Sequence, residues 1–498
     1  MESSNKTSEY RSIFKATSIL GSVQLFNILI SAIRNKVVSS LLGPAGMGIV
    51  GLLTSTSSTI TGFTNCGLTI SAMKNIAVAY KEEDYDTLGK VIFVVKRLIW
   101  CTGLFATLIC IILSKQLSVW AFGNEDFMIS FCCLSISLLF TQLTSGNQMI
   151  IKGCRQIKMY AKANVIGNFL SLFITIPLYF IWGVNAIVPV LILLSISTAT
   201  VSYYYQKKIL IKEIKVDTDE FKKISADILK IGVAIAAAEV FPIISSYYIR
   251  IFMSENGGVE LVGLFSAGFA ILNGYVGMIF SAMSSDFVPR LSAVIDDNKS
   301  CEETVNNQIR ISIMILLPIL TLLIIFSKTI VWILYSSDFY PITKMIMWGA
   351  IGSFLQCADW AMGCLFVPKR DTKVYFGLSI WSLIKYLALN IVCYHVWGLP
   401  GFGIAMIINR LLAIILLYFY MKYRYDIIYS KDVLIYLLYG CIYFTILIIL
   451  NTLFEGELVI LTLVNIVSLL LVSIVAFKKL DQYMGLKNLI SRKILKKK

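Results

Sequence analysis

Runs of about 20 apolar residues recur along this chain, and each is long enough to cross an ~30 Å hydrocarbon layer at about 1.5 Å per helical residue. Fourteen such runs fall near 13–38, 46–71, 91–113, 128–150, 163–182, 187–205, 227–252, 263–287, 310–334, 344–367, 374–397, 402–421, 433–453 and 458–477. Lipid offers no hydrogen-bond partners, so a spanning segment must satisfy its own backbone as a helix or a closed barrel. The runs are too long and too continuously apolar for barrel strands. An all-α polytopic membrane protein with 14 transmembrane helices is therefore expected. Only 15% of the residues are charged and 57% are apolar, whereas an ordinary soluble domain is about a quarter charged. That excludes a soluble enzyme, a nucleic-acid-binding module and a disordered scaffold. Residues 1–12 are polar and no small-residue cleavage site follows them, so no cleavable signal peptide is expected.

The formal net charge of +15 is orientation charge for the most part. With both termini inside, 36 of the 44 Lys and Arg fall in inner segments, as the positive-inside rule requires. An even number of crossings is needed for that bias. The last stretch, 478–498, carries eight Lys/Arg and one acid, with Tyr483, Leu486, Ile490 and Ile494 on one helical face. It reads as an amphipathic tail on anionic phospholipids of the inner leaflet.

The two halves repeat at an offset of about 215. Arg34 pairs with Arg250, Arg97 with Arg310, Arg155 with Arg370, and Tyr179–Gly183 with Tyr394–Gly398. Six helices per half is even, so the halves run the same way and are expected to be related by an axis along the membrane normal. The organisation expected is an N-lobe over 1–212 (helices 1–6), a cytoplasmic connector over 213–226, a C-lobe over 227–425 (helices 7–12), helices 13–14 over 426–477 and the tail over 478–498. Asp217-Thr218-Asp219-Glu220 is placed to cap a helix beginning near Phe221.

Leu41-Leu42-Gly43-Pro44-Ala45-Gly46-Met47-Gly48, Trp360-x-x-Gly363 followed by Lys369-Arg370, and Arg34 nine residues before Gly43 carry a resemblance. Together with two six-helix lobes and two extra helices, they resemble the multidrug/oligosaccharidyl-lipid/polysaccharide exporter superfamily (MOP superfamily), in particular the bacterial O-antigen and enterobacterial common antigen translocases. The resemblance implies a flippase of the bacterial inner (plasma) membrane, not an enzyme. It would move an undecaprenyl-diphosphate-linked oligosaccharide, a unit of surface polysaccharide biosynthesis, from the cytoplasmic to the periplasmic leaflet by alternating access. Polysaccharide polymerase or chain-length machinery is an implied partner.

Four cations, Arg34, Arg250, Lys385 and Arg410, lie within or near the apolar runs, with Glu239 and Asp359 as anions. A charge at a helix centre costs roughly 2.5–3.5 kcal/mol, so these residues are expected to face a wet, cationic cavity between the lobes. Arg offers paired donors and Lys a point charge to phosphate oxygens. Lys385 and Arg410 are the candidates for diphosphate contact, and Arg34 and Arg250 for the head group or an outer gate. Arg34 and Arg250 have a plainer reading, snorkelling to lipid phosphates, and Lys385 has one as a structural pair with Asp359. Glu239 and Asp359 are candidates for ion coupling.

No Cys or His spacing suits a metal among the 11 cysteines and one histidine, and no P-loop is present. No cofactor is expected. Energy would come from an H+ or Na+ gradient, the membrane potential or the substrate gradient. A multidrug/cation antiporter and a lipid II flippase share the expected architecture. A membrane polysaccharide polymerase or ligase is a reading from another class, but it calls for a large outer loop or domain that this sequence lacks.

Overall fold

In the computed structural model, residues 2–209, 211–366, 368–369, 371–454 and 458–484 are described. They form sixteen α-helices and no strand. In chain order these are α1 Glu2–Thr64, α2 Leu68–Lys81, α3 Tyr85–Ile112, α4 Ser114–Phe122, α5 Met128–Gly153, α6 Ile157–Trp182, α7 Ile187–Lys207 and α8 Thr218–Phe269. After a π-helical stretch, Ala270–Tyr275, come α9 Gly277–Ala293, α10 Asn298–Ile325, α11 Ser327–Leu334, α12 Thr343–Gly363, α13 Thr372–Trp397, α14 Gly401–Tyr425, α15 Lys431–Leu453 and α16 Leu458–Met484. Length and apolarity qualify ten helical stretches among the described residues to cross a membrane. Three of the ten run to 39, 51 and 54 residues, about twice what one crossing needs. The expected run 344–367 falls on α12, which is not among the ten. The ten stretches therefore do not amount to ten crossings, and fourteen crossings is a proposal.

The breaks inside the long stretches repeat. Gly43 interrupts α1 at φ 64°, ψ −171°, and Gly258 interrupts α8 at φ 71°, ψ −179°. That region of backbone space is essentially glycine-only. The Gly-Pro-Ala-Gly segment is therefore a one-residue kink, with Pro44 suited to the first turn after it because its missing N–H would have no helical partner there. Gly183 ends α6 at φ 52°, ψ −130°, and Gly398 ends α13 at φ 63°, ψ −142°. Both pairs are 215 residues apart. α3 and α10 are each 28 residues long, offset by 213, and each starts at an aspartate cap. Asp84 accepts from the Thr87 N–H at 3.0 Å. Asp297 accepts from the Lys299 and Ser300 N–H groups at 3.1 and 3.2 Å. The Thr87 and Ser300 hydroxyls first, and then these N–H groups, hold the two carboxyls below their ordinary range.

The chain divides into two compact units. The first holds residues 1–266 with 334–338, and the second 267–333 with 339–498. Most of α8 packs with the first unit. The kinked ends of α1 and α8 meet there. A Cβ on Gly48 would lie 1.9 Å from the Val259 carbonyl oxygen, and one on Gly263 would lie 1.9 Å from that of Pro44. Gly48 and Gly263 are repeat mates, as are Pro44 and Val259, so the contact has local two-fold symmetry.

In the same unit, the segment between α7 and α8 straps across α3. The Ile214 N–H donates to the Gly89 carbonyl at 3.4 Å, Lys96 pairs with Glu213 at 2.6 Å, and Lys90 pairs with Glu220 at 2.7 Å. Ile209, Ile211 and Val216 pack on a core of Leu88, Val95 and Ile150. The sequence places the start of α8 near Phe221; it begins at Thr218.

In the second unit, α15 and α16 cover α10. The Arg310 guanidinium grips Asp432 with bonds of 2.7 and 3.0 Å. Asn451 on α15 and Asn465 on α16, both buried, exchange side-chain amide bonds of 3.1 and 2.9 Å. Such pairing satisfies polar groups that have no alternative partner in lipid.

Candidate functional site

Three of the expected site residues meet in the second unit, on α12, α13 and α14. Arg410 Nη1 donates to Asp359 Oδ2 at 2.7 Å. Asp359 is nearly enclosed, its side chain only 10% exposed, while Arg410 is 27% exposed. The second carboxylate oxygen, Asp359 Oδ1, is buried without a hydrogen-bond partner among the described residues. Lys385 is 6% exposed, and its ammonium donates to the Asn409 carbonyl at 3.0 Å. It acts electrostatically on both Asp359 and Arg410. Two cations thus share one carboxylate. The direct ion pair that the sequence allowed between Lys385 and Asp359 is instead made by Arg410, and Lys385 caps the carbonyl next to it.

Small residues let the three helices close up. A Cβ on Gly352 would touch Met406, and one on Gly403 would lie 2.5 Å from the Met345 carbonyl oxygen. This brings α12 and α14 within reach of a single Asp–Arg bond. Trp360, beside Asp359, stacks at an angle against Phe280 and Phe287 with ring centroids 5.4 Å away. Those apolar rings flank the charged residue on its own helix. A charge pair in such surroundings is held by geometry, since breaking it leaves a buried ion uncompensated.

Arg34 and Arg250 both belong to the first unit, so the four expected cations do not form one cluster within either unit. Arg250 Nη1 donates to the Ser246 carbonyl at 3.0 Å and to the Ser246 hydroxyl, and its guanidinium lies 5.9 Å from the Phe265 ring centre. Arg34 acts electrostatically on the Tyr179 hydroxyl. Lys36 donates to the Tyr335 carbonyl at 2.5 Å. Asp286 sits within α9 and pairs with Arg290 at 2.9 Å, one turn on. The side chain of Glu239, Arg370, and residues 485–498 of the tail lie outside the described residues.

At the N-terminal end of α13, Asp371 accepts from the Tyr420 hydroxyl at 3.0 Å and from the Tyr425 hydroxyl. The Tyr425 bond is the main cause that holds its carboxyl below the usual range. Nothing in the sequence singles out these tyrosines, which lie 49 and 54 residues away from their partner.

A family model described as polysaccharide biosynthesis protein matches residues 37–344. Solved structures share the fold. An inward-facing multidrug resistance MATE family transporter of the MOP superfamily matches with TM-score 0.70 and 16% identity, over 81% of this chain and 94% of that one. An outward-facing MATE family transporter of the same superfamily matches with TM-score 0.62 and 16% identity, over 83% and 96%. The lipid II flippase MurJ, in an inward closed conformation, matches with TM-score 0.68 and 15% identity, over 93% and 99%. No curated protein sequence matches significantly.

Proposed function

We propose, from the premise that this chain belongs to the polysaccharide biosynthesis protein family, that it flips a lipid-linked oligosaccharide of surface-polysaccharide synthesis across the bacterial inner membrane. The substrate is an undecaprenyl-diphosphate-linked unit of the O-antigen class, moved from the cytoplasmic to the periplasmic leaflet by alternating access. Both termini lie on the cytoplasmic side, because that orientation puts 36 of the 44 Lys/Arg inside.

The observation that carries this reading is the cluster of Lys385, Arg410 and Asp359. A carboxylate satisfies one guanidinium donor, and the cluster keeps a surplus positive charge among membrane-spanning helices. A diphosphate supplies several oxygens where Asp359 supplies two, and Arg presents a planar fork that matches them. A cluster with excess cations repels the cationic substrates of a multidrug antiporter and favours an anionic head group. The likeness to MurJ also runs over more of this chain than the likeness to the MATE structures, 93% against 81% and 83%.

The test is export in cells lacking the native gene. Lys385→Ala and Arg410→Ala are each expected to lower transfer of lipid-linked glycan on the order of 10–100-fold while the protein stays in the membrane. Full export by both variants refutes the diphosphate site. Loss of resistance to cationic drugs, with glycan export intact, favours the antiporter.

A further inference from the structure

A cavity of about 310 Å³ opens in the first unit between α3, α5 and α7. Its floor includes Ile99, Leu143 and Ala199, its walls are Trp100 and Tyr203, and Lys96 lies at its mouth. Asn147, Leu143 and Phe140 follow one face of α5 inward from its C-terminal end. The cavity therefore runs parallel to the helices for about two turns, or roughly 10 Å. It is at the small end of ligand sites, which span about 300–1,000 Å³. Trp100 and Tyr203 are half-exposed.

The repeat gives this face a counterpart. Ile309, Ile313 and Met362 stand in the second unit where Lys96, Trp100 and Asn147 stand in the first. All three are fully buried. The helices α15 and α16 and the segment before them cover that face, with Tyr429 of that segment donating to the Ala358 carbonyl at 3.3 Å and Tyr443 of α15 meeting Thr321 at 3.3 Å. Ala358 is the repeat mate of Leu143 in the cavity floor. So the same surface is closed by protein in one unit. In the other, no described helix covers it, and it carries a cation, an indole and an amide (Lys96, Trp100 and Asn147) where the second unit has Ile309, Ile313 and Met362.

We infer that this cavity is a binding site for an anionic phospholipid of the bilayer, with one acyl chain along the Ile99–Leu143–Ala199 floor and the phosphate on Lys96. The Lys96 ammonium has three donors. One goes to Glu213 at 2.6 Å, which leaves others for phosphate. Lys207 lies one turn beyond Tyr203 on α7, which adds a second cation on the Lys96 side of the cavity. Trp and Tyr favour the level of the head groups, which places the phosphate there. Because Lys96 also ties down the segment between α7 and α8, a bound lipid would steady that strap from the membrane side. The site does not depend on the export reading.

The test uses the full chain in vesicles of phosphatidylcholine containing brominated phosphatidylglycerol or, in a parallel set, brominated phosphatidylcholine. The Trp100 share of the emission is taken as the difference between the unaltered chain and Trp100→Phe. Brominated phosphatidylglycerol is expected to quench that share at least threefold more strongly, and Lys96→Gln to abolish the preference. Thr200→Phe, which fills the cavity from its exposed side and keeps the Lys96–Glu213 pair, is expected to lower quenching by either lipid. Equal quenching by the two lipids, or an unchanged preference in both variants, overturns the site. Recovery of Trp100 emission on adding an equimolar polyprenyl monophosphate overturns the phospholipid in favour of the carrier lipid.

Discussion

The helices α12–α14 and their repeat mates α5–α7 share a pattern of backbone turns and differ in chemistry. Gly183 and Gly398 turn the chain in the same way, and α6 and α13 are each 26 residues long. Yet Asp359, Lys385 and Arg410 have Thr144, Leu170 and Ser195 as their mates. Ser195 bonds only to its own helix, its hydroxyl donating to the Ile192 carbonyl at 2.7 Å. Duplication supplied a scaffold twice, and the buried charges were placed on one copy. The outer faces differ in the opposite sense: the first copy carries Lys96 and Trp100, where the second carries Ile309 and Ile313 beneath extra helices. A symmetric frame with asymmetric side chains separates the part that makes the fold from the part that recognises a ligand.

The comparison breaks if charge loss in the second copy matters no more than side-chain loss in the first. Arg410→Ala is expected to lower export on the order of 10–100-fold, since a hydrogen bond to a charged group is worth about 1.5–3 kcal/mol. Leu170→Ala and Ser195→Ala are expected to leave export within about twofold; equal losses in the same assay would remove the asymmetry.

The kinks should behave alike, because there the copies agree in geometry. Gly48→Ala and Gly263→Ala each push a Cβ into a carbonyl oxygen at 1.9 Å. Each is expected to destabilise by about 1–3 kcal/mol, by similar amounts, in thermal melts in detergent. A large inequality between them would show that the two-fold contact is not equally shared.

Arg97 and Arg310 are repeat mates with different partners. Arg310 holds Asp432 and Ser430, with one bond to Ser430 at 3.0 Å, whereas Arg97 lies over Phe93 at 4.4 Å. Arg310→Gln is expected to lower stability by about 1–2 kcal/mol and Arg97→Gln by about 0.5 kcal/mol. Melts that move equally would mean α15 is not anchored through this pair.

The smallest effect concerns Asp371, whose mate is Gln156. Its carboxyl is depressed by the Tyr425 and Tyr420 hydroxyls, so its contribution is present above the ordinary carboxylate range. That contribution fades as the pH falls through the lowered value. Asp371→Asn is expected to flatten the acid side of a stability–pH curve slightly, and Gln156→Ala to leave its shape unchanged.

How far the sequence could be read depended on range. Apolar run length and Lys/Arg bias are local or cumulative, so the helices and the repeat were legible. Asp359, Lys385 and Arg410 stood out because charge within an apolar run is costly. Their pairing was not legible: any of the three helices can rotate a side chain toward either neighbour, and only packing put Arg410 rather than Lys385 on Asp359. The match of Gly43 with Gly258 was hidden too, since Pro44 follows one and Val259 the other, and nothing short of the backbone angles equates them.

By itself the sequence determined that this is a helical membrane protein, built by duplication and carrying a few charges too costly to leave in lipid. Lipid imposes that through one requirement, the internal satisfaction of every backbone hydrogen bond, which acts residue by residue. The tertiary structure decided which charges share a site, that most of α8 packs with the first unit, and that one face is covered by protein while its mate is open. Those outcomes depend on groups about 50 to 210 residues apart meeting at distances of a few ångströms, as the Arg410 and Asp359 side chains do at 2.7 Å and as the Gly48 and Val259 backbones do. No local pattern encodes such a meeting.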